Sequence, residues 1–453
     1  MIKNENIHEI INIYIDDPSQ VTQVLGPINT WDVSKVTNMK DLFKNKTTFN
    51  EYINDWYVSN VTSMESMFEG ATSFNQPLDK WRTSKVFNMQ KMFLKAKRFN
   101  QNINSWNVTS VENMSHMFSG CQLFNSPLDK WRTDNLKNTS YMFHDCIKFN
   151  QNINTWKMQN VTNISYMFSH ACKFNQPLND WNTKRVENFR GTFYDATEFN
   201  QDLDEWRTYS GKRMGFMFNN AKNFNGDITT WNTINVETME SMFQNAKSFN
   251  QDITKWEVVN VINMKYMFYN AVKFDQKIEK WDVECLREMQ NMFKGAKLML
   301  ENHDKRYTHD TPYNAFFNGG LSPVEPLSDE NDSDAGLSSV ESLSDENGGL
   351  STIDPLSNEI SIGEVNEDDV TKSLIKEVCQ GVSPPPPPPI IRKTAKAKQN
   401  ILNAINNTKQ RVLPKQLEIK NPINVTSNPI MLTHKPPPKN HTLIYATKDK
   451  VLI

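Results

Sequence analysis

Trp56-Tyr-Val-Ser-Asn-Val61-Thr-Ser-Met64-Glu-Ser-Met67-Phe68-Glu-Gly-Ala71-Thr-Ser-Phe74-Asn75-Gln-Pro-Leu78-Asp-Lys80 is one period of a pattern that fills most of the chain. Trp81 starts the pattern again, and tryptophan recurs every 25 residues from Trp31 to Trp281, eleven times without an insertion. Phenylalanine stands twelve residues after each tryptophan, from Phe43 to Phe293. It stands again eighteen after it, from Phe49 to Phe274, with Met299 in the last copy. Self-similarity at a fixed period of about 20–50 residues marks a stacked-repeat protein, whose units bury their apolar faces only against one another.

Inside the unit, Val61, Met64, Met67, Phe68 and Ala71 share the spacing of one face of a short helix. Leu78-Asp-Lys-Trp81-Arg-Thr83 has the L-x-x-L-x-L spacing of a leucine-rich-repeat strand. In an extended segment Trp81 and Thr83 point to the same side. The expected fold is therefore α/β, a leucine-rich-repeat-like solenoid of about eleven 25-residue strand–helix units with a cap at each end, followed by a disordered tail. Its strands would form a parallel ribbon roughly 50 Å long. Trp56, Trp81, Trp106, Trp131, Phe68, Phe93, Phe118 and Phe143 represent the repeat core. Thr139, Phe189, Thr192 and Gly211 depart from the consensus, which predicts local loosening over 186–214.

The composition narrows the function classes. The 453 residues hold 50 Lys+Arg against 52 Asp+Glu, so the whole chain makes no electrostatic case for nucleic acid or membrane. Five cysteines without a CxxC pair are no disulfide framework or zinc motif. No run of 18 apolar residues occurs, and acids interrupt the first 17 residues, so neither a membrane span nor a signal peptide is expected. The expected location is intracellular. All eleven Trp lie between residues 31 and 281, no Phe follows Phe317, and 15 of the 21 Pro follow residue 318. The expected organisation is an N-terminal cap (1–27), repeats (28–300), a C-terminal cap (301–318), an acidic low-complexity segment (319–383), a polyproline run (384–389) and a basic tail (390–453).

The unit resembles the repeat of BspA-like leucine-rich-repeat surface proteins, found in mycoplasmas, Listeria-type bacteria, protists and giant DNA viruses. Trp31-Asp-Val-Ser-Lys-Val36-Thr-Asn-Met39 carries the likeness, which covers residues 8–318. The resemblance implies a protein-binding scaffold, supplies no catalytic residues, and makes Thr311–Asn318 a closing segment. The Asn- and Lys-heavy vocabulary with a long tail looks most like a giant-virus member, which leaves virion association open.

No phosphate-binding loop, GxSxG or HExxH occurs, so no catalytic, cofactor or metal residues are assigned and an enzyme is not expected. His144, His170 and Cys172 lie close in phase, but their offsets share no column. Cys121 and Cys146 occupy one column in adjacent units, where stacking puts them within disulfide range; without a secretory signal, small buried thiols are the expectation and a disulfide the alternative. The asparagine after the second Phe, Asn50 to Asn250, is read as laddering the turn backbone.

Residues flanking each tryptophan vary between copies and would face away from the core. Tyr57, Lys80, Arg82, Lys130, Arg132, Lys157 and Arg207 are the candidate partner-binding surface, a discontinuous basic stripe or an ordinary solvated face of mixed charge. Gln76–Thr83 recurs as Ser126–Thr133, fifty residues later, which a two-unit duplication explains.

Residues 319–371 hold 14 acids and no Lys or Arg, whereas 390–453 hold 12 Lys/Arg against two acids. The run Pro384–Pro389 is a stiff spacer or a ligand for a polyproline-binding domain. The basic tail could pair with the acidic segment or weakly bind nucleic acid or an anionic membrane. The expected function is a non-catalytic scaffold that binds an unknown protein through the exposed strand face, with the tail as tether or recruiter. The alternative is a structural, virion or surface component in which the repeats are a spacer and the tail docks.

Overall fold

The computed structural model describes residues 1–303, 311, 312, 316 and 317, all within the first of two compact units, Met1–Asn406. Everything read above for 319–453, the polyproline run included, lies outside the described residues.

Equivalent residues of successive 25-residue units lie beside each other. Single-residue parallel bridges join Asn38 to Ser63, Ser63 to Asn88, and so on in steps of 25 to Glu288. The expected strand and helix do not form: residues 31–296 contain turns and isolated bridges only. The ribbon expected at the tryptophan segment is replaced by pairing seven residues after each tryptophan.

The turn geometry explains the correction. Residues ten and fourteen after every tryptophan, such as Ser66 (φ 52°) and Gly70 (φ 67°), adopt the left-handed conformation, which ends any α-helix. The amides of Met64, Ser66, Phe68 and Gly70 donate to the next unit, to the carbonyls of Asn88, Gln90, Met92 and Leu94 at 2.7–3.0 Å. The amides of Met67, Glu69 and Ala71 donate three residues back, to Met64, Ser66 and Phe68. Successive tight turns thus bring every third side chain inward, the same inward spacing that suggested a helix. Half of the backbone polar groups are satisfied locally and half by the neighbour.

The core is aromatic. The first-column phenylalanines stack in an unbroken series from Phe43–Phe68 (5.3 Å) to Phe268–Phe293 (5.9 Å). Each but Phe293, whose unit has Met299 instead, also lies on the second phenylalanine of its own unit, as Phe68 on Phe74 at 4.1 Å. Trp131 and Trp156 rings lie 5.9 Å apart. Trp56, Trp81, Trp106, Trp131, Phe68, Phe93, Phe118 and Phe143 are all buried. From Trp56 on, each indole N–H reaches the carbonyl three residues before the preceding tryptophan, as Trp106 to Leu78 at 2.8 Å, and that of Trp31 reaches the Gly26 carbonyl, so the buried donors are satisfied. The second phenylalanine is followed by the asparagine ladder: Asn150 Oδ1 accepts from the Asn175 amide (2.9 Å), and Asn125 Oδ1 from Asn150.

The loosening expected over 186–214 is absent. Phe189, Thr192 and Gly211 are buried, and Phe189 and Phe193 keep their amide bonds to the next unit at 2.9 Å. The Thr192 hydroxyl donates to the Phe189 carbonyl (2.8 Å), so the smaller residue completes the turn. Cys121 and Cys146 are free buried thiols; each donates to a carbonyl, of Phe93 and Phe118, at 3.0 Å. Burial pushes both thiols well above their ordinary range.

The two ends carry different elements. Helices α1 (Ile7–Asp16) and α2 (Pro18–Leu25) precede the first unit, with Ile7, Ile10, Ile11 and Ile13 buried and Tyr14 packed edge-on to Trp31 at 5.4 Å. Asn4 Oδ1 accepts from the amides of Thr37 and Asn38, which have no preceding unit to bond. Helix α3 (Lys297–Asn302) ends the array. Phe316 packs edge-on to Phe293 (5.6 Å), and the Thr311 hydroxyl accepts from the otherwise open Asn291 amide at 2.7 Å.

Candidate interaction surface

Where threonine stands two residues after a tryptophan, its hydroxyl holds the backbone of the residue that follows the next tryptophan, whose side chain stays outside. Thr133, two residues after Trp131 and fully buried, clamps Lys157 of the next unit: its Oγ1 accepts from the Lys157 amide (2.7 Å) and donates to the Lys157 carbonyl (3.1 Å). Thr183 donates likewise to the Arg207 carbonyl, and Thr83 to that of Asn107. Before the tryptophan, Asn54 and Asn104 donate to Asp79 and Asp129 at 2.8 Å, fixing that approach from unit to unit. Tyr57, Lys80, Arg82, Lys130, Arg132, Lys157 and Arg207 are all exposed on this face.

Its charge is mixed. Lys80 pairs with Asp55 (2.7 Å), whose hydrogen bond raises the Lys80 pKa, and Arg132 lies 3.4 Å from Asp134. Two shallow grooves cross the face between neighbouring units. One, of about 720 Å³, is lined by Asp180, Trp181, Lys184, Glu205, Arg207 and Tyr209. The other, of about 520 Å³, is lined by Trp231, Asn232, Asp252, Lys255 and Glu257. Arg207 thus sits between acids and the half-exposed Tyr209, a setting suited to polar and aromatic contacts with a protein surface.

Sequence spacing did not reveal a second cluster. His144 and His170 stand thirteen and fourteen residues after their tryptophans, yet their rings lie 5.5 Å apart. His170 itself holds the left-handed position fourteen of its unit, and His144 stands just before Asp145, which holds it in the preceding unit. Around them, Tyr141 stacks on His116 (4.6 Å) and on Tyr166 (4.9 Å), and Arg190 Nε donates to the Tyr166 hydroxyl at 3.1 Å. Asp145 and Asp195 lie 3.3 and 3.4 Å from His144 and His170.

Burial dominates this seam. It lowers His116, His144 and His170 to about 4, with Lys91 acting on His116 and Asp145 opposing the shift on His170. It raises Asp145, and raises Asp195 to about 6 against the attraction of Lys222. Tyr141 is pushed up to about 12. The histidines are therefore neutral rings near pH 7, His116 stacked on Tyr141 and His144 edge-on to His170. Among the described residues, no group of three or more His, Cys, Asp or Glu is placed to hold a metal ion. Cys172 meets the His170 carbonyl through its thiol at 3.4 Å.

Stacked 25-residue units with a variable outer face define a repeat protein. The family described as "Mycoplasma protein of unknown function, DUF285" matches residues 18–131, 114–222 and 197–306, and the chain belongs to it. No curated protein and no solved structure matches the chain. Among the described residues, no helix is long and apolar enough to cross a membrane.

Proposed function

We propose that the chain is a non-catalytic protein-interaction scaffold of the BspA-like leucine-rich-repeat type. Its units build a capped solenoid that presents the face beside the tryptophans to a protein partner, while residues beyond 318 act as tether or recruiter. The observation that carries this reading is the column of exposed, variable side chains, Tyr57, Arg82, Arg132, Lys157 and Arg207, the last two held at the backbone by buried Thr133 and Thr183, with grooves opening between units at Arg207 and Glu257. A rigid backbone with adaptable side chains binds at little ordering cost.

The test compares full-length chain with the Arg82→Ala/Arg132→Ala/Arg207→Ala variant, both immobilised and exposed to the same host lysate. A protein retained saturably by the first and lost from the second supports the reading. Equal retention by both moves recognition to the tail and leaves the repeats as a spacer.

A further inference from the structure

Elsewhere on the array acids and bases are interspersed, and several pair from unit to unit. Lys137 pairs with Glu112 at 2.9 Å and Lys212 with Glu187 at 3.0 Å, each across one 25-residue step. The turn between the core Ala/Cys column and the second phenylalanine is different. It carries Lys97, Arg98, Lys148, Lys222, Lys247 and Lys273, all exposed, together with Lys173 and Lys297. Glu198 is its one acid, and it pairs with Lys173. Among the described residues, only Lys173 and Lys297 of this edge reach a carboxylate within ion-pair distance.

The edge is continuous. The amide of Ser248 donates to the Lys222 carbonyl (3.2 Å), that of Glu198 to Cys172 (3.3 Å) and that of Leu298 to Val272 (3.4 Å), so these turns stack rung on rung. Eight steps separate Lys97 from Lys297 along the array, about 40 Å at strand-like spacing. Like charges one rung apart repel, and a counter-charge along the edge relieves this.

We propose that the acidic segment 319–371 of this same chain occupies the basic edge. It holds 14 acids and no Lys or Arg, the complement of an edge with eight cations and one acid. It begins just after Phe317, and the neighbouring Phe316 packs on Phe293, four residues from Lys297 at the end of the edge. Its 53 residues span at most about 180 Å, several times the length required. Tethering makes the encounter intramolecular and keeps other polyanions off the edge. The contact is electrostatic and weakens as salt shortens the screening length from about 8 Å at 0.15 M to about 3 Å at 1 M.

The full-length chain, treated with a water-soluble carbodiimide, tests this. The reagent joins an ammonium and a carboxylate in contact as an amide, taking up the water released. The expected result is that Lys97, Lys148, Lys222, Lys247 and Lys273 link to acids of 319–371 several-fold more than Lys80, Lys130 and Lys157 on the tryptophan face. The links should be independent of protein concentration and lost in 1 M salt. Equal linking of the two faces, or links that grow with concentration and so join separate copies, overturns the proposal. As a second measurement, a full-length variant with the 14 acids changed to Asn or Gln should bind a single-stranded oligonucleotide at least tenfold tighter than the parent. Equal binding means that the edge is open in the parent, and the proposal fails.

Discussion

The indole Nε1 of Trp156 donates to the carbonyl oxygen of Leu128, 28 residues earlier, at 3.0 Å. The same bond recurs in every later unit, from Trp181 to Ile153 through Trp281 to Ile253. It lashes the segment before one tryptophan to the ring of the next. Trp156→Phe keeps an aromatic ring but leaves a buried carbonyl without its donor, and should cost about 1–3 kcal/mol. Urea unfolding of parent and variant measures this; an unchanged midpoint would mean that a water replaces the indole N–H.

The asparagine ladder uses both ends of each residue. Asn150 Oδ1 accepts from the Asn175 amide and from Gln176 Nε2, while the Asn150 amide donates to Asn125. Asn150→Ala removes the acceptor and should destabilise by about 1 kcal/mol. Asn150→Asp retains it and should lose less. If the two variants melt alike, the side-chain oxygen is not what joins the rungs.

Lys95 holds the left-handed position fourteen (φ 59°) that Gly70 and Gly120 hold in the units on either side. Lys95→Gly should stabilise by up to about 1 kcal/mol, because a side chain there opposes the carbonyl. Gly120→Ala should destabilise, since its Cβ would meet Lys95 Cα at 3.3 Å with φ +73°. Thermal midpoints that move in these opposite directions check both.

The histidine seam predicts loss of stability in acid. His116, His144 and His170 bind protons less readily folded (about 4) than unfolded (about 6.5), so their contribution is present above pH 6.5 and lost as pH falls toward 4. Asp195, raised to about 6, and Asp145, also raised by burial, have the opposite sign and gain as pH falls, which offsets part of the loss. His144→Gln should flatten the slope of stability between pH 6.5 and 4, and Asp195→Asn should steepen it. Chemical denaturation at successive pH values reads both slopes.

Cys121→Ala places in one unit the residue that Ala96 and Ala171 already supply in others, and should cost under about 1.5 kcal/mol. Both thiols are free and buried, so thiol reagents should label Cys121 and Cys146 only on unfolding. Rapid labelling of the folded chain would show that the column opens.

What was legible in the residues was everything that depends on period. Trp81 and Phe93 report their burial by recurring, and Asn75 its ladder role by following Phe74. The helix was misread because Val61, Met64, Met67 and Ala71 turn inward alike in a helix and in consecutive tight turns. Ser66 carries no residue signal of its left-handed conformation, whereas Gly70 is the residue type that conformation favours. His144 and His170 are close in phase but share no column, so a comparison at equal offset does not show that their rings meet across 26 residues. The basic edge was missed because Lys97, Lys148 and Lys247 alternate between two adjacent columns and fill neither.

Every unit meets its neighbours through the same columns, with Phe43 on Phe68 as Phe268 on Phe293. The upper surface of any unit therefore fits the lower surface of any other. Recombination that removes or copies a whole number of units leaves each new seam with its hydrogen bonds and ring stacks intact. A change of one residue more or fewer strands an entire rung. The recurrence of Gln76–Thr83 as Ser126–Thr133 is the trace such copying leaves. Array length is thus a variable that evolution can reset in whole units without redesigning the core, and each step moves one cap relative to the other by a single rung.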